Sequence, residues 1–311
     1  MTAMLQTELA PRQKSGLLLK NPVLTASGTF GFGVEYARLA EVPRLGGVIC
    51  KGITLHSRVS YSSSPILETA SGLLYPLDTS NPGLSTIRKK YAPIWATWQT
   101  PVIVNITGNE LNDLTALAEQ LDAIEGVAGI EMSTFSADAR FSWEADPALL
   151  SDLVASVRYA TALPLIVKLS PGKHDLLLSA HTAISAGADA ISLLQTLPAL
   201  AIDLSSRRPR FPLDRVGLSG PALKPFALRI IYELAHTLHH THPHIPIIGV
   251  GGIACTSDAL EFLMAGATAI QVGSITFADP RAAIAIVEGI EAFMLQEGID
   301  DIKTIVGAAF S

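Results

Sequence analysis

The chain has 311 residues, of which 49% are hydrophobic and 16% charged, with a formal net charge of −6. That composition supports a large buried core, and without any Lys/Arg block it argues against a nucleic-acid surface. Two lone cysteines exclude a disulfide framework, and the polar N-terminus and short apolar runs exclude a signal peptide or a membrane span, so a cytoplasmic protein is expected.

Eight short apolar runs recur along the chain: Val23–Ala26, Gly47–Lys51, Pro101–Asn105, Ala128–Met132, Pro164–Lys168, Ala188–Leu194, Ile245–Val250 and Thr268–Val272. They are continuous rather than alternating, as in parallel strands buried on both faces. Helical spacing occupies Leu111–Ile124, Pro147–Ala160 behind a capping Asp146, Leu176–Ala186 ending at Gly187, Ala222–Leu238, and Ser257–Ala265 ending at Gly266. Eight strands with intervening helices predict an α/β fold, a (β/α)8 TIM barrel in one domain over residues 1–311, in preference to a doubly wound sheet. The Ser/Pro-rich segment 56–100 is too long for an ordinary loop, and an excursion over the C-terminal mouth is expected there.

Barrels of this kind carry their chemistry at the C-terminal strand ends. Those ends read Ser27-Gly28, Lys51, Asn105, Ser133–Asp138, Lys168, Gln195-Thr196, Gly251-Gly252 and Gly273-Ser274. Two lysines aimed into one mouth favour an anionic ligand or cofactor over simple snorkelling. The run IIGVGGIA satisfies G-x-G-x-x-A, but the acid a dinucleotide fold needs at the end of the next strand is missing. That strand ends instead in VGS. Glycine turns after the last two strands, with GLSGPA (217–222) nearby, predict a phosphate cradle for a phosphorylated small molecule or a mononucleotide. Five histidines between His236 and His244 run off a helix end without an acid, so a solvated terminus is expected rather than a metal site. Cys50, beside Lys51, is expected to face the core, and GTFGFG (28–33) lacks the lysine of a P-loop.

These features coincide with longer motifs. They include NPVLTASGTFGFGVEYA (21–37), KGITLHSR (51–58), ETASGLLY with NPG (68–83), PVIVNITG (101–108), PLIVKLSP (164–171), GLSGPALKPFALR (217–229), IPIIGVGGI (245–253) and AGATAIQVGS (265–274). With them the chain resembles the dihydroorotate dehydrogenases, FMN enzymes of pyrimidine synthesis, and within them the soluble class 1 branch. The resemblance implies FMN, with Ala26, Ser27 and Gly28 approaching the flavin and Lys51 beside its ring. It implies that Asn105 and Lys168 touch the ring or ribityl group, and that Gly220, Gly251, Gly252, Gly273 and Ser274 hold the phosphate. It further implies a homodimer, or association with an iron–sulfur flavoprotein that passes electrons to NAD.

The substrate side departs from the family pattern. The loop that typically reads Asn-x-Ser-Cys-Pro-Asn is here Ser133-Thr134-Phe135-Ser136-Ala137-Asp138. Ser136 takes the position of the catalytic base, with Lys51 as the other catalytic candidate. Four asparagines that hold the pyrimidine in the family become Tyr75, Ser133, Asp138 and Gln195, with Thr196 following. An amide supplies both a donor and an acceptor; the replacements do not all do so. The resemblance therefore implies dihydroorotate oxidation. The alternatives are an FMN paralogue with another substrate and a flavoprotein without dehydrogenase turnover. No metal is expected.

Overall fold

The computed structural model describes residues 3–59, 66–77, 80–134, 142–171, 175–194, 197–211 and 216–310. Eight parallel strands are hydrogen-bonded side by side. In chain order they are β1 (Val23–Thr25), β2 (Val48–Ile49), β3 (Val102–Ile106), β4 (Gly129–Ser133), β5 (Leu165–Leu169), β6 (Ala190–Leu193), β7 (Ile247–Val250) and β8 (Ala269–Val272). The edge strands meet where the Gly46 N–H donates to the Val23 carbonyl (2.9 Å) and Leu24 bridges Gly47, which brings the sheet round to a nearly closed barrel. All eight apolar runs of the sequence are strands, with ends that shift by a residue or two.

Strand geometry explains what faces inward. Successive side chains alternate, so positions two apart share a face. Leu24, Ile49, Ile103, Ile166, Ala190, Ile248 and Ala269 form a lower interior layer, and Leu9, Ala10, Leu17 and Leu19 close it from below. Those closing residues belong to an N-terminal hairpin, Thr7–Glu8 paired with Leu18–Leu19, which periodicity did not disclose. One step of two residues towards the C-terminal end gives Ala26, Lys51, Asn105, Lys168, Ser192, Val250 and Gln271; on β4, where Gly129 leaves space below, the matching residue is Glu131. The interior thus changes from apolar to polar within one layer. The intervening residues, Cys50 and Val104 among them, face outward into the helix-facing core. Cys50 is fully buried there, and burial pushes its thiol up to about 12.

The outer layer includes α1 (Leu111–Asp122), α2 (Pro147–Ala160), α3 (Leu176–Ser185), α4 (Lys224–Thr241), α5 (Thr256–Met264) and α6 (Ala282–Glu297). Asp146 caps α2, its carboxylate accepting from the Ala148 N–H at 2.8 Å, as expected from its place before Pro147. No described helix is long and apolar enough to cross a membrane.

The 56–100 segment divides into two parts. Leu67–Thr69 and Gly72–Pro76 join Val216–Ser219 and Leu197–Pro198 in a four-stranded antiparallel sheet over the mouth, the expected excursion. Gly83–Thr86, Ile87–Tyr91 and Ala92–Trp95 are instead consecutive helical segments, and their Ile87 and Trp95 are buried in the barrel core. Serine and proline before this stretch disguise its helical character.

Candidate active site

Between the strand ends and the antiparallel cap lies a cavity of about 670 Å³. It falls within the roughly 300–1,000 Å³ of small-molecule sites. Ala26, Ser27, Gly28, Lys51, Asn105, Lys168, Gly220, Gly251, Gly252, Gly273 and Ser274 all line it. So do Tyr75 on the cap and Ser133 at the end of β4. Ser136, Asp138, Gln195 and Thr196 lie outside the described residues.

The glycine end has a backbone reason for its composition. Gly252 sits at φ +77°, and a Cβ there would come within 2.5 Å of the Lys224 backbone nitrogen. Gly220 at φ +104° approaches Gly72 so closely that a Cβ would stand 2.6 Å from its Cα, bringing the cap strand down onto the barrel rim. Gly273 faces an open hollow, where a Cβ would meet only Ala26 and Thr29, at 3.5 and 4.0 Å. Ser219 and Ser274 place their hydroxyls 2.9 Å apart across this end of the cavity. Bare backbone with hydroxyls at the rim is the donor set that holds a phosphate.

At the floor, the two lysines differ. Lys168 is buried, and its Nζ donates to Gln271 Oε1 at 3.0 Å and stands 3.5 Å from Glu131 Oε2. Glu131 is 0% exposed and is surrounded by donors: Asn105 Nδ2 (2.7 Å), Ser192 Oγ (2.9 Å) and Gln271 Nε2 (2.5 Å). Lys51 is half-buried at the end of β2, and its ammonium has no acceptor among the described residues. The expected anion-facing pair of lysines is therefore one compensated charge and one open charge. Glu131, Ser192 and Gln271 were not singled out from the sequence. The available signal was a polar residue inside an apolar strand, two residues from the end of the lower layer.

A second buried acid lies behind the mouth. Glu144 Oε1 accepts from the Ser170 N–H (3.0 Å) and from the Thr134 hydroxyl (2.5 Å). It thereby ties the last described residue before segment 135–141 to the end of β5. Burial pushes its carboxyl above the ordinary carboxylate range, against the opposing pull of these hydrogen bonds. The histidine cluster lies at the opposite end of the barrel. His236, His239 and His240 are exposed on the last turns of α4, where His236 and His239 pack against Phe310 and His240 against those two histidines, and His242 Nε2 lies 3.1 Å from His181 Nδ1. Among the described residues no three His, Cys, Asp or Glu side chains converge on a metal-sized site.

Comparison with known proteins gives this geometry a family. The model of the dihydroorotate dehydrogenase family matches residues 9–294. The chain belongs to the dihydroorotate dehydrogenase family. It is 42% identical over 297 residues to the "Dihydroorotate dehydrogenase B (NAD(+)), catalytic subunit" of Geotalea daltonii, covering 94% of this chain and 96% of the relative. Proteins of the same description from Geobacter metallireducens and Thermodesulfovibrio yellowstonii are 41% and 40% identical, with the same coverage. Membership makes the chain an oxidoreductase of an FMN-binding family acting on CH–CH bonds. The residues present fit that cofactor: a side-chain-free cradle at the β7 and β8 turns, polar groups across the floor, and at the wall a cation without an acceptor among the described residues.

Proposed function

We propose that this chain oxidises dihydroorotate to orotate, with FMN bound along the β-strand ends of the cavity. The convergence of the family-matched residues on one cavity supports this reading. Gly220, Gly251, Gly252, Gly273 and Ser274 hold the phosphate through backbone N–H groups and the serine hydroxyl. Ala26, Ser27 and Gly28 would approach the ring, and Asn105 and Lys168 would contact the ring or the ribityl group. FMN supplies the hydride-accepting chemistry.

The chain's own residues supply the rest. Lys51 offers an ammonium without an acceptor among the described residues, which favours negative charge at the reacting edge of the cavity. Ser136 accepts the proton from the substrate carbon. A hydroxyl is a far weaker acid than a thiol, whose reference value is about 8.5, so Ser136 passes the proton on through a water or polar relay. Tyr75, Ser133, Asp138, Gln195 and Thr196 surround the ring substrate.

A second reading keeps FMN and changes the substrate to a ring that bears no carboxylate. Tyr75 in the cavity wall and Asp138 in the loop sequence favour it. Two carboxylates about 4 Å apart repel by roughly 1 kcal/mol even in water. The relatives are described as catalytic subunits of NAD(+)-linked enzymes. By extension the chain delivers its electrons to a separate NAD-linked chain, an iron–sulfur flavoprotein.

Anaerobic addition of dihydroorotate to FMN-loaded protein tests the first reading. Bleaching of the flavin absorption band is expected. No bleaching at high millimolar substrate rejects dihydroorotate and leaves the second reading, which a panel of uncharged ring substrates then examines.

A further inference from the structure

The polar floor contains an acid that direct flavin contact does not use. Glu131 sits in the middle of β4, sealed from solvent, and receives donors from four other strands: Asn105 of β3, Lys168 of β5, Ser192 of β6 and Gln271 of β8. Both of its oxygens accept, Oε2 from Asn105 and Lys168 and Oε1 from Ser192 and Gln271, an arrangement suited to a carboxylate. Gln271 closes the circuit, giving its amide N–H to Glu131 and its carbonyl to Lys168. Of these partners, Asn105 and Lys168 line the cavity, whereas Glu131, Ser192 and Gln271 do not.

We propose that Glu131 is a positioning residue for the flavin. It cancels the charge of Lys168 and fixes Lys168 and Asn105 in register, so that Lys51 presents the one uncompensated cation on the wall described here. Low dielectric makes this balance matter. A buried charge acts over several ångströms with little screening, and a reduced flavin carries more negative charge than an oxidised one. Glu131 thereby holds down the preference of the site for reduced FMN.

This inference rests on FMN occupying the cavity, and its test separates the two claims. FMN-loaded wild type and Glu131→Gln are equilibrated anaerobically with reference dyes, and the ratio of affinities for reduced and oxidised FMN is read from the midpoint potential. Loss of the carboxylate leaves the Lys168 charge uncompensated. The ratio is expected to rise at least tenfold, which is a positive shift of about 30 mV for a two-electron couple. Should Glu131→Gln not accumulate as folded protein, Lys168→Gln reads the same balance from the other side, and its ratio is expected to fall at least tenfold. In the double variant Glu131→Gln/Lys168→Gln the ratio returns towards wild type. An acid that only knits the barrel lowers Tm and leaves the ratio unchanged, and an unchanged ratio in a folded single variant overturns the proposal. Protein that takes up no FMN at all instead removes the flavin reading on which it rests.

Discussion

The two sides of the cavity are built on different principles. The barrel side rests on strand ends paired in parallel with their neighbours and on side chains that interlock from one strand to the next. The substrate side rests on short antiparallel strands and on loops, with Tyr75 on the cap and Ser133 at the C-terminal end of β4 the described residues at the proposed substrate positions. On the barrel side a substitution disturbs several strands at once; on the substrate side it changes one contact to the ligand. This explains how a chain can retain the motifs of a cofactor site while replacing the amides at the proposed substrate positions.

Substitutions of graded severity expose the contrast. Lys168→Ala leaves Glu131 buried without its cation, and removing one partner of a buried pair costs about 3–5 kcal/mol. Denaturant unfolding is expected to show that loss. Lys51→Ala, at the same mouth but without an acceptor among the described residues, is expected to move stability by less than about 0.5 kcal/mol while weakening FMN binding. Equal destabilisation by the two would erase the distinction between the lysines.

Gly252→Val places a branched side chain at φ +77° against the Lys224 backbone. Strain of about 1–3 kcal/mol is expected, with FMN retention after gel filtration falling by more than tenfold. Full flavin content in this variant would move the phosphate away from the β7 turn.

On the proposed substrate side, Ser133→Asn combined with Asp138→Asn restores amides at two positions where the family sequence carries asparagine. A gained hydrogen bond to a charged group contributes about 1.5–3 kcal/mol, so half-saturation by dihydroorotate is expected to fall by roughly tenfold or more, with Tm nearly unchanged. A large Tm change with no effect on saturation would reverse the roles of the two sides.

The smallest effect concerns Glu144. Its folded carboxyl titrates above the ordinary 4.5, so the folded state holds that proton more tightly than the unfolded chain. Its contribution is therefore complete below 4.5 and is lost as pH rises through the folded value. Glu144→Gln keeps an oxygen for Thr134 and Ser170 and removes the titration. Tm is expected to rise slightly at neutral pH and to match wild type below that window, as thermal scans across pH would show.

The strands, most helices and the tight glycine turns beside the cavity were legible because each follows from local chemistry. Continuous apolar runs mark strands buried on both faces, Asp146 marks a cap, and a glycine at Gly252 marks a close backbone approach. The helical stretch 83–95 and helix α6 were missed for different reasons: the first is hidden behind serine and proline, and the second, Ala282–Glu297, is so apolar that its polar face barely shows. The Glu131 network was invisible as a network because Glu131 and its partners lie up to 140 residues apart in sequence and meet only when the barrel closes. Each member nevertheless stood in the sequence as a polar residue inside an apolar strand. Strand alternation from Asn105 and Lys168 would have placed Glu131, Ser192 and Gln271 in the same layer.

The division between a retained cofactor side and a changed substrate side is tested most directly by one anaerobic titration with dihydroorotate. FMN-loaded wild type and the Ser133→Asn/Asp138→Asn variant are compared, and bleaching of the flavin band is followed. Both proteins are expected to carry one FMN per chain, and the variant to reach half-bleaching at a dihydroorotate concentration at least tenfold lower. Equal half-bleaching concentrations in the two proteins, or failure of either to hold FMN, would contradict the account.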